Sequence, residues 1–524
     1  MNKIIALLLL TLGINASSLA QSEMAVQNLK RAMLILDATM ERSFRGSDTN
    51  KYMADVCDTE SDEVSGPSDV WPYTAAIEAH CSVLEALKTL KDVEPELYTE
   101  HFDKYANQLD MLIDNLAYYK GTYILFSYAS RRKWSVYAVP RASERNLANV
   151  TGDNLKYNVY DDQMWIAREL IRAYQLTGKQ SYLEEATHLA DYVIDGWDCW
   201  RDANGEEYGG ITWGPGYNSK HACSNGPIIQ PLVWLHRIYA TPDEKADCEY
   251  YYRDTDNALV TALVKRSDLY LDFAKKIYAW QKKYLLNEDT GVYWDMLGAA
   301  VGELQYVDSG LKRRRAHVDN GTHVGNAYTY NTGTMLAGAV ELLHTTSAEE
   351  YSNDISDLTK KSFQNFAHPR RISGKTYYEW PTDANALQGF NAWFDNVLMR
   401  AFVDADQTEP STYSNRSLES FQNNLDYAFE HFNRQNMLPI NLLSGWSDSY
   451  KTKGFHQASF AAEYAMLAVW QYRKSQALTI QNTTFKRQPD NKVYTLDGKV
   501  ISSSVNTLPS GLYIRKGQKL LVKR

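Results

Sequence analysis

Residues 159–196 read VYDDQMWIARELIRAYQLTGKQSYLEEATHLADYVIDG, and the fold follows from how this stretch is parsed. After Trp165 the apolar residues Ile166, Leu170, Ile171 and Tyr174 recur at the spacing of one helical face and stop at Gly178, a helix-ending residue. A second helical pattern covers 180–196. A junction as short as Thr177-Gly178-Lys179 makes the two helices antiparallel neighbours, so the segment is a helical hairpin.

Outward from this hairpin, about twelve helical patterns fill residues 24–475, mostly in pairs. Their spans are 24–44, 68–90, 97–119, 162–177, 180–196, 226–240, 257–286, 328–345, 349–366, 385–404, 417–434 and 456–474. Strand signals in this region are few. Hairpins repeated about six times, without heptads or a strict sequence period, fit a closed ring or an open solenoid. Residues 121–160, 197–224 and 287–327 decide between them, because loops this long, polar and aromatic are usually functional. A ring that gathers such loops at one end makes a cleft. The expected architecture is therefore a closed all-α toroid over residues 21–478.

The ends differ from this body. Met1-Asn2-Lys3, the apolar run Ile4–Leu10 and Ser18-Leu19-Ala20 have the anatomy of a cleaved secretory signal over 1–20, so the protein is expected to be exported. No Cys follows the run, which argues against a lipoprotein anchor, and no later stretch is long and apolar enough to span a bilayer. Residues 485–524 carry nine Lys or Arg against two Asp and read as a small β tail, with Val493–Leu496, an Asp497-Gly498 turn and Lys499–Ile501, then strands near Leu512 and Leu521. This tail resembles the C-terminal sorting domains of Bacteroidetes secreted proteins, which implies a role in export or surface attachment.

The net charge of −9 argues against nucleic acid and anionic membranes as partners. The 13 Trp and 37 Tyr suit a protein that packs rings on sugars, and equally fill helical cores. Of the five cysteines, Cys199 and Cys223 flank one loop-rich segment and could pair; none has metal-ligand spacing, and no metal or cofactor is expected.

Asp161 and Asp162 stand side by side where the first hairpin helix begins. Asp is a favoured N-cap, and anions suit the positive end of a helix, so a purely structural reading exists. A capping box, however, would place Glu or Gln three residues later, where Met164 and Trp165 stand. The chemical reading is a carboxylate pair. Glycoside hydrolysis needs one carboxylic acid to protonate the leaving oxygen and one carboxylate as nucleophile or base, with separations of ~5–5.5 Å implying retention. Close carboxylates resist double ionisation, which keeps one protonated beside an ionised partner. Asp198, Asp202, Glu206, Asp295, Asp319 and Asp395 are rivals near loops or helix ends.

Downstream, Gly209-Gly210-Ile211-Thr212-Trp213 offers glycines that either admit a close backbone approach or only turn the chain, and a Trp213 ring that could stack on a pyranose. Tyr160-Asp161-Asp162 with Trp165, then Gly209–Trp213, then Ala222-Cys223-Ser224-Asn225-Gly226-Pro227, and later Tyr330-Asn331-Thr332-Gly333, resemble in order the motifs of glycoside hydrolase family 76, the endo-α-1,6-mannanases. The resemblance runs over about residues 68–475. It implies an (α/α)6 toroid, a retaining cut of internal α-1,6-mannosidic bonds, Asp161 as nucleophile and Asp162 as acid/base. Motif position adds Trp213, Asn225, Tyr330 and Asn331 as substrate-binding candidates, and α-mannan as partner of a monomeric enzyme. Leu387-Gln388-Gly389-Phe390 departs from the family pattern, and Lys312-Arg313-Arg314-Arg315 reads as a solvated charge run to which a phosphorylated mannan would also be attracted. The other readings are a different (α/α)6 glycosidase or epimerase, and a non-catalytic helical glycan-binding protein. The orientation of the Asp pair separates the last of these from an enzyme.

Overall fold

A helix buried on every side reads differently from one buried on a single stripe, and the chain alternates between the two. Helix α1 spans Asn2–Ser43, α2 Val70–Thr89, α3 Pro95–Asn115, α4 Tyr160–Thr177, α5 Gln180–Asp195 and α6 Ile229–Tyr239. Then come α7 at Arg266–Leu285, α8 at Thr329–Thr346, α9 at Glu349–Phe366, α10 at Ala392–Thr408, α11 at Thr412–His431 and α12 at Gly454–Lys486. Sixteen of the twenty residues of α2 are buried, against four of the twenty-one of α3. Even-numbered helices line the inside of a ring and odd-numbered ones its outside.

These are features of a computed structural model, which describes residues 2–299, 302–382, 390–447 and 449–486, with 493–494, 500–501, 511–515 and 518–522. The chain forms two compact units. Gln27–Val469 is the larger, and Met1–Val26 with Trp470–Arg524 the smaller.

In the larger unit α2 packs on α3, α4 on α5, α6 on α7, α8 on α9 and α10 on α11, while α2–α4–α6–α8–α10 touch in succession. The ring closes through Trp71 of α2, whose indole lies 5.1 Å from the Phe455 ring of α12 and 5.5 Å from that of Trp393 in α10. Outside, Asn28 of α1 and Gln422 of α11 exchange hydrogen bonds of 2.7 and 2.9 Å. The result is an (α/α)6 toroid of six inner and six outer helices. Each fully buried Leu, Ile or Phe on an inner face stabilises it by about 1.5–3 kcal/mol. Small residues let the inner helices meet: a Cβ at Gly333 would stand 2.8 Å from the Leu398 Cα, so the Gly of the Tyr330–Gly333 motif serves the α8–α10 contact. In the hairpin that opened the reading, Gly178 takes φ +75° and returns its N–H to the Tyr174 carbonyl at 2.7 Å, an αL cap.

Strands are more numerous than the sequence signals imply. β1 (Lys120–Phe126) pairs with β2 (Arg131–Tyr137), and β3 (Lys220–His221) with the later β6 (Met296–Ala299), which also pairs with β7 (Asn320–Val324). The helix expected over 257–286 starts only at Arg266. Leu259–Val264 forms β5, antiparallel to β4 (Cys248–Arg253), with Leu259, Thr261 and Leu263 exposed and the alternate residues half-buried. A period of two wins over helical continuation there. No described helix is long and apolar enough to cross a membrane.

Within the smaller unit, β8 (Val493–Tyr494), β9 (Val500–Ile501), β10 (Gly511–Arg515) and β11 (Gln518–Val522) form an antiparallel sheet in the order β9–β8–β10–β11. The Asp497-Gly498 turn lies outside the described residues, as do Leu387, Gln388 and Gly389.

Candidate active site

All inner helices run inward from one pole, so their N-terminal turns collect there. Trp71 comes from α2, Asp161, Asp162 and Trp165 from α4, Tyr330 from α8, and Trp393 and Phe394 from α10. With Tyr157, Trp213, Tyr217, His221, Cys223, Asp295 and Tyr328 from the loops, they line one cleft that opens to solvent. The positive ends of helix dipoles favour carboxylates in this place.

The start of α4 is fixed before its acids are placed. Gln163 grips the Tyr137 backbone of β2 twice, its Oε1 accepting from the N–H at 2.9 Å and its Nε2 donating to the carbonyl at 2.8 Å. Tyr160 packs against Tyr192 with ring centroids 5.0 Å apart, and its N–H donates to the Trp213 carbonyl at 2.8 Å. Val159, extended at φ −118° and ψ 147°, holds the N-cap position with no side-chain cap. Neither aspartate is the cap. Both point into the cleft, Asp162 almost fully buried.

Electrostatics then separates the two acids. Burial raises the Asp161 carboxyl above its ordinary range, countered by backbone N–H groups and by the Cys223 and Trp213 side chains, which favour its ionised form. Burial raises Asp162 further, and the negative charges of Asp161 and then Asp69 add to it. Neither forms an ion pair among the described residues, and Asp161 Oδ1 and Asp162 Oδ2 have no hydrogen-bond partner. The donors that favour an ionised carboxylate thus lie on Asp161, while Asp162 meets burial and negative charge.

A third carboxyl, Asp295, lines the same cleft. Burial raises it to about 6, and Asn331 Nδ2 donates to its Oδ1 at 3.4 Å. Of the other acids singled out in the sequence, Asp198 is buried 3.4 Å from Lys220 Nζ, Asp395 accepts from Thr329 Oγ1 at 3.0 Å, and Asp319 pairs with His317. Asp202 caps a surface turn, and Glu206 lies 3.7 Å from Lys283 Nζ. None of these five lines the cleft.

Trp213 and Tyr330 stand in the cleft; Asn225 and Asn331 are fully buried behind it. Asn225 pins two loops together, accepting from Ile211 N–H at 2.8 Å and donating to the Ile211 and His221 carbonyls at 2.9 and 2.7 Å. Gly209 and Gly210, at φ +67° and +75°, lay their backbone on the Trp280 ring rather than on the cleft. The Cys199–Cys223 pairing is not formed: all five cysteines are free and buried, and Cys223 faces Asp161 and Tyr330.

The basic run also resolves into separate roles. Arg313 stacks on Tyr306 with its guanidinium 3.8 Å from the ring centroid. Arg315 is buried, donating to Thr212 Oγ1 at 3.2 Å, to the Pro215 carbonyl at 3.3 Å, to Asn218 Oδ1 at 3.2 Å and to the Tyr217 carbonyl. The 287–327 segment thereby clamps the loop that carries Trp213. Sequence reasoning missed this, along with Trp71, Tyr157, Tyr217, His221, Trp393 and Phe394 as cleft walls. Trp71, Tyr157, Trp393 and Phe394 share one signal, a place at or just before an inner-helix start, whereas Tyr217 and His221 lie further upstream in the loop.

Known proteins agree with this architecture. Solved structures that resemble it include the family 76 mannosidase Bt3792 of Bacteroides thetaiotaomicron, at 18% identity and TM-score 0.63, covering 86% of this chain and all of that one. A family 76 glycoside hydrolase from a bovine strain of the same species matches at 18% and 0.61, covering 84% of this chain and 78% of that one. The alpha-1,6-mannanase GH76A of Salegentibacter sp. HEL1_6, as an inactive variant with two consecutive aspartates changed to asparagine and alpha-1,6-mannotriose bound, matches at 17% and 0.53, covering 84% and 99%. No curated protein sequence matches the chain. The model of Glycosyl hydrolase family 76 matches residues 107–246 and 258–480, most of the toroid, and the chain belongs to that family of glycosidases.

Proposed function

We propose that the protein is an exported, retaining endo-α-1,6-mannanase acting on internal bonds of α-mannan, and that its tail serves sorting after export. The observation that carries the catalytic part is the adjacent, desolvated Asp pair in the cleft floor, with Asp162 raised further than Asp161. The inactive Salegentibacter mannanase, altered at two consecutive aspartates, supports the same pair here.

In this reading the Asp161 carboxylate attacks the anomeric carbon while the Asp162 carboxyl gives its proton to the departing glycosidic oxygen. A glycosyl ester on Asp161 results. Asp162, now ionised, takes a proton from water, the oxygen of which attacks the same carbon, and Asp161 leaves as carboxylate. A general acid must still hold its proton at the working pH, and burial raises the Asp162 carboxyl in that direction. The test is product analysis of linear α-1,6-mannan digested by the protein and by its Asp161→Ala and Asp162→Ala variants. Oligosaccharides from the native protein alone support the proposal; a native protein that binds mannan without cutting it overturns it.

A further inference from the structure

The sequence offers Trp213 as a stacking platform, but its surroundings give its ring little free face. His221 lies parallel to it, centroids 5.0 Å apart at 16°, and Tyr217 leans on it at 4.7 Å and 49°. His221 is itself held by Ser219, Oγ to Nε2 at 2.8 Å. The backbone is fixed as tightly: Trp213 N–H donates to the Ser219 carbonyl at 2.9 Å, the Trp213 carbonyl accepts from Tyr160 at 2.8 Å, and Arg315 clamps the residues on both sides. What remains is the edge. The indole Nε1 is buried with no hydrogen-bond partner, and so is Oδ1 of Asp161, the carboxylate that this indole stabilises. A buried donor left without a partner is costly, and a hydrogen bond between the two groups would remove that cost.

We propose that Trp213 is a positioning residue for Asp161: its indole N–H, rather than its ring face, is the working group, closing on the free carboxylate oxygen and orienting it for attack. The inference rests on the reading of Asp161 as nucleophile. The remaining groups around Asp161 make such a donor useful. Asp162 on the same helix and Asp295 beside β6 are acids, Cys223 and Tyr330 are held protonated by burial, Tyr217 is a phenol, and the Lys156 ammonium lies over the Tyr217 ring, 5.8 Å from its centroid. His221, the one imidazole of the wall, is driven down to about 4 by burial and stays neutral, so it spaces the indole without adding a cation.

Trp213→Phe keeps an aromatic ring at this position and removes the N–H together with the fused five-membered ring. On α-1,6-mannan its acidic limb of kcat/KM should move upward by about half to one pH unit with KM within about twofold. An unmoved limb with KM raised tenfold would make Trp213 a sugar contact and overturn the proposal. A second measurement needs no substrate and no folded variant at position 213. In protein labelled with 15N-Trp, one of the 13 indole N–H signals should titrate with pH and cease to do so in Asp161→Asn. If no indole signal follows Asp161, the proposal fails whatever the protein hydrolyses; if one does while mannan is untouched, only the substrate assignment falls.

Discussion

Two buried acidic clusters sit in one toroid and are treated in opposite ways. Trp71, Asp161, Asp162 and Trp393 line the cleft; seven residues further along the same helices stand Glu78, Arg168, Glu169 and Arg400. Seven residues are two turns of the same helix face, ~10.5 Å deeper along the axis. At that depth Arg400 Nη1 meets Glu78 Oε1 at 2.5 Å, Arg168 stands 3.5 Å from the same oxygen, and Arg172 reaches Glu169 at 2.9 Å. Desolvation alone would raise Glu78, yet the arginines outweigh it and hold it below the ordinary range. Above, with no cation on the aspartates, burial wins and both acids rise. The same burial leaves an ionised carboxylate below and raised carboxyls above; the difference is arginine.

The comparison is sharpest in variants that remove one carboxylate from each level. Asp161→Asn should cost activity about 10⁴-fold and Asp162→Asn about 10²–10⁴-fold, while Glu78→Gln leaves an arginine pair buried and should cost about 3–5 kcal/mol of stability. For Asp162→Asn the sign reverses. The folded pKa of Asp162 lies above its unfolded value, so between the two the native state holds the extra proton and stability falls as pH rises. The variant should therefore match the native protein near pH 3.5 and exceed it in Tm at pH 7, with the advantage growing in between. A Tm at pH 7 below the native one would show that the cleft acids are structural after all.

A smaller effect tests whether an arginine can serve the upper level without neutralising it. Arg315 binds loop carbonyls and hydroxyls around Trp213 rather than a carboxylate. Arg315→Met should lower stability by about 1–3 kcal/mol through carbonyls left unpaired, and lower kcat/KM by about tenfold through loss of register at the Trp213 loop. Unfolding curves and mannan kinetics on one preparation check both. If stability falls with kinetics intact, the 287–327 segment is a brace and nothing more.

How much of this was legible follows from the range of each signal. The helical hairpins were readable because Ile166, Leu170 and Ile171 repeat within one element and Gly178 ends it. The adjacency of Asp161 and Asp162 was likewise local. The β4–β5 hairpin was lost because Leu259–Val264 is apolar enough to extend the α7 pattern, and only pairing with Cys248–Arg253 reveals its period. Arg315 was hidden for a stronger reason: its partners lie about 100 residues upstream, so a run of four basic residues looked like one solvated patch. Asn225 shows the converse case. Motif position made it a ligand candidate, while its amide is wholly engaged in joining Ile211 to His221.

The smallest effect separates the two levels with a single reagent. Cys223 sits beside Asp161, and Cys81 sits in the arginine level, its thiol 3.8 Å from the Glu169 carbonyl. Burial raises both thiols first; the Asp161 charge and its hydrogen bond then raise Cys223 further, whereas at Cys81 the charge of Glu169 is opposed by Arg172 and Arg168. Asp161→Asn removes a charge that acts on only one of them. Iodoacetamide labelling at pH 8, followed by peptide mass mapping, should show Cys223 modified about two- to fivefold faster in the variant, with Cys81 unchanged, because a thiol reacts through its thiolate fraction. Equal acceleration at both would mean that the variant has loosened the toroid as a whole, and the division between an unpaired upper level and a neutralised lower one would fail.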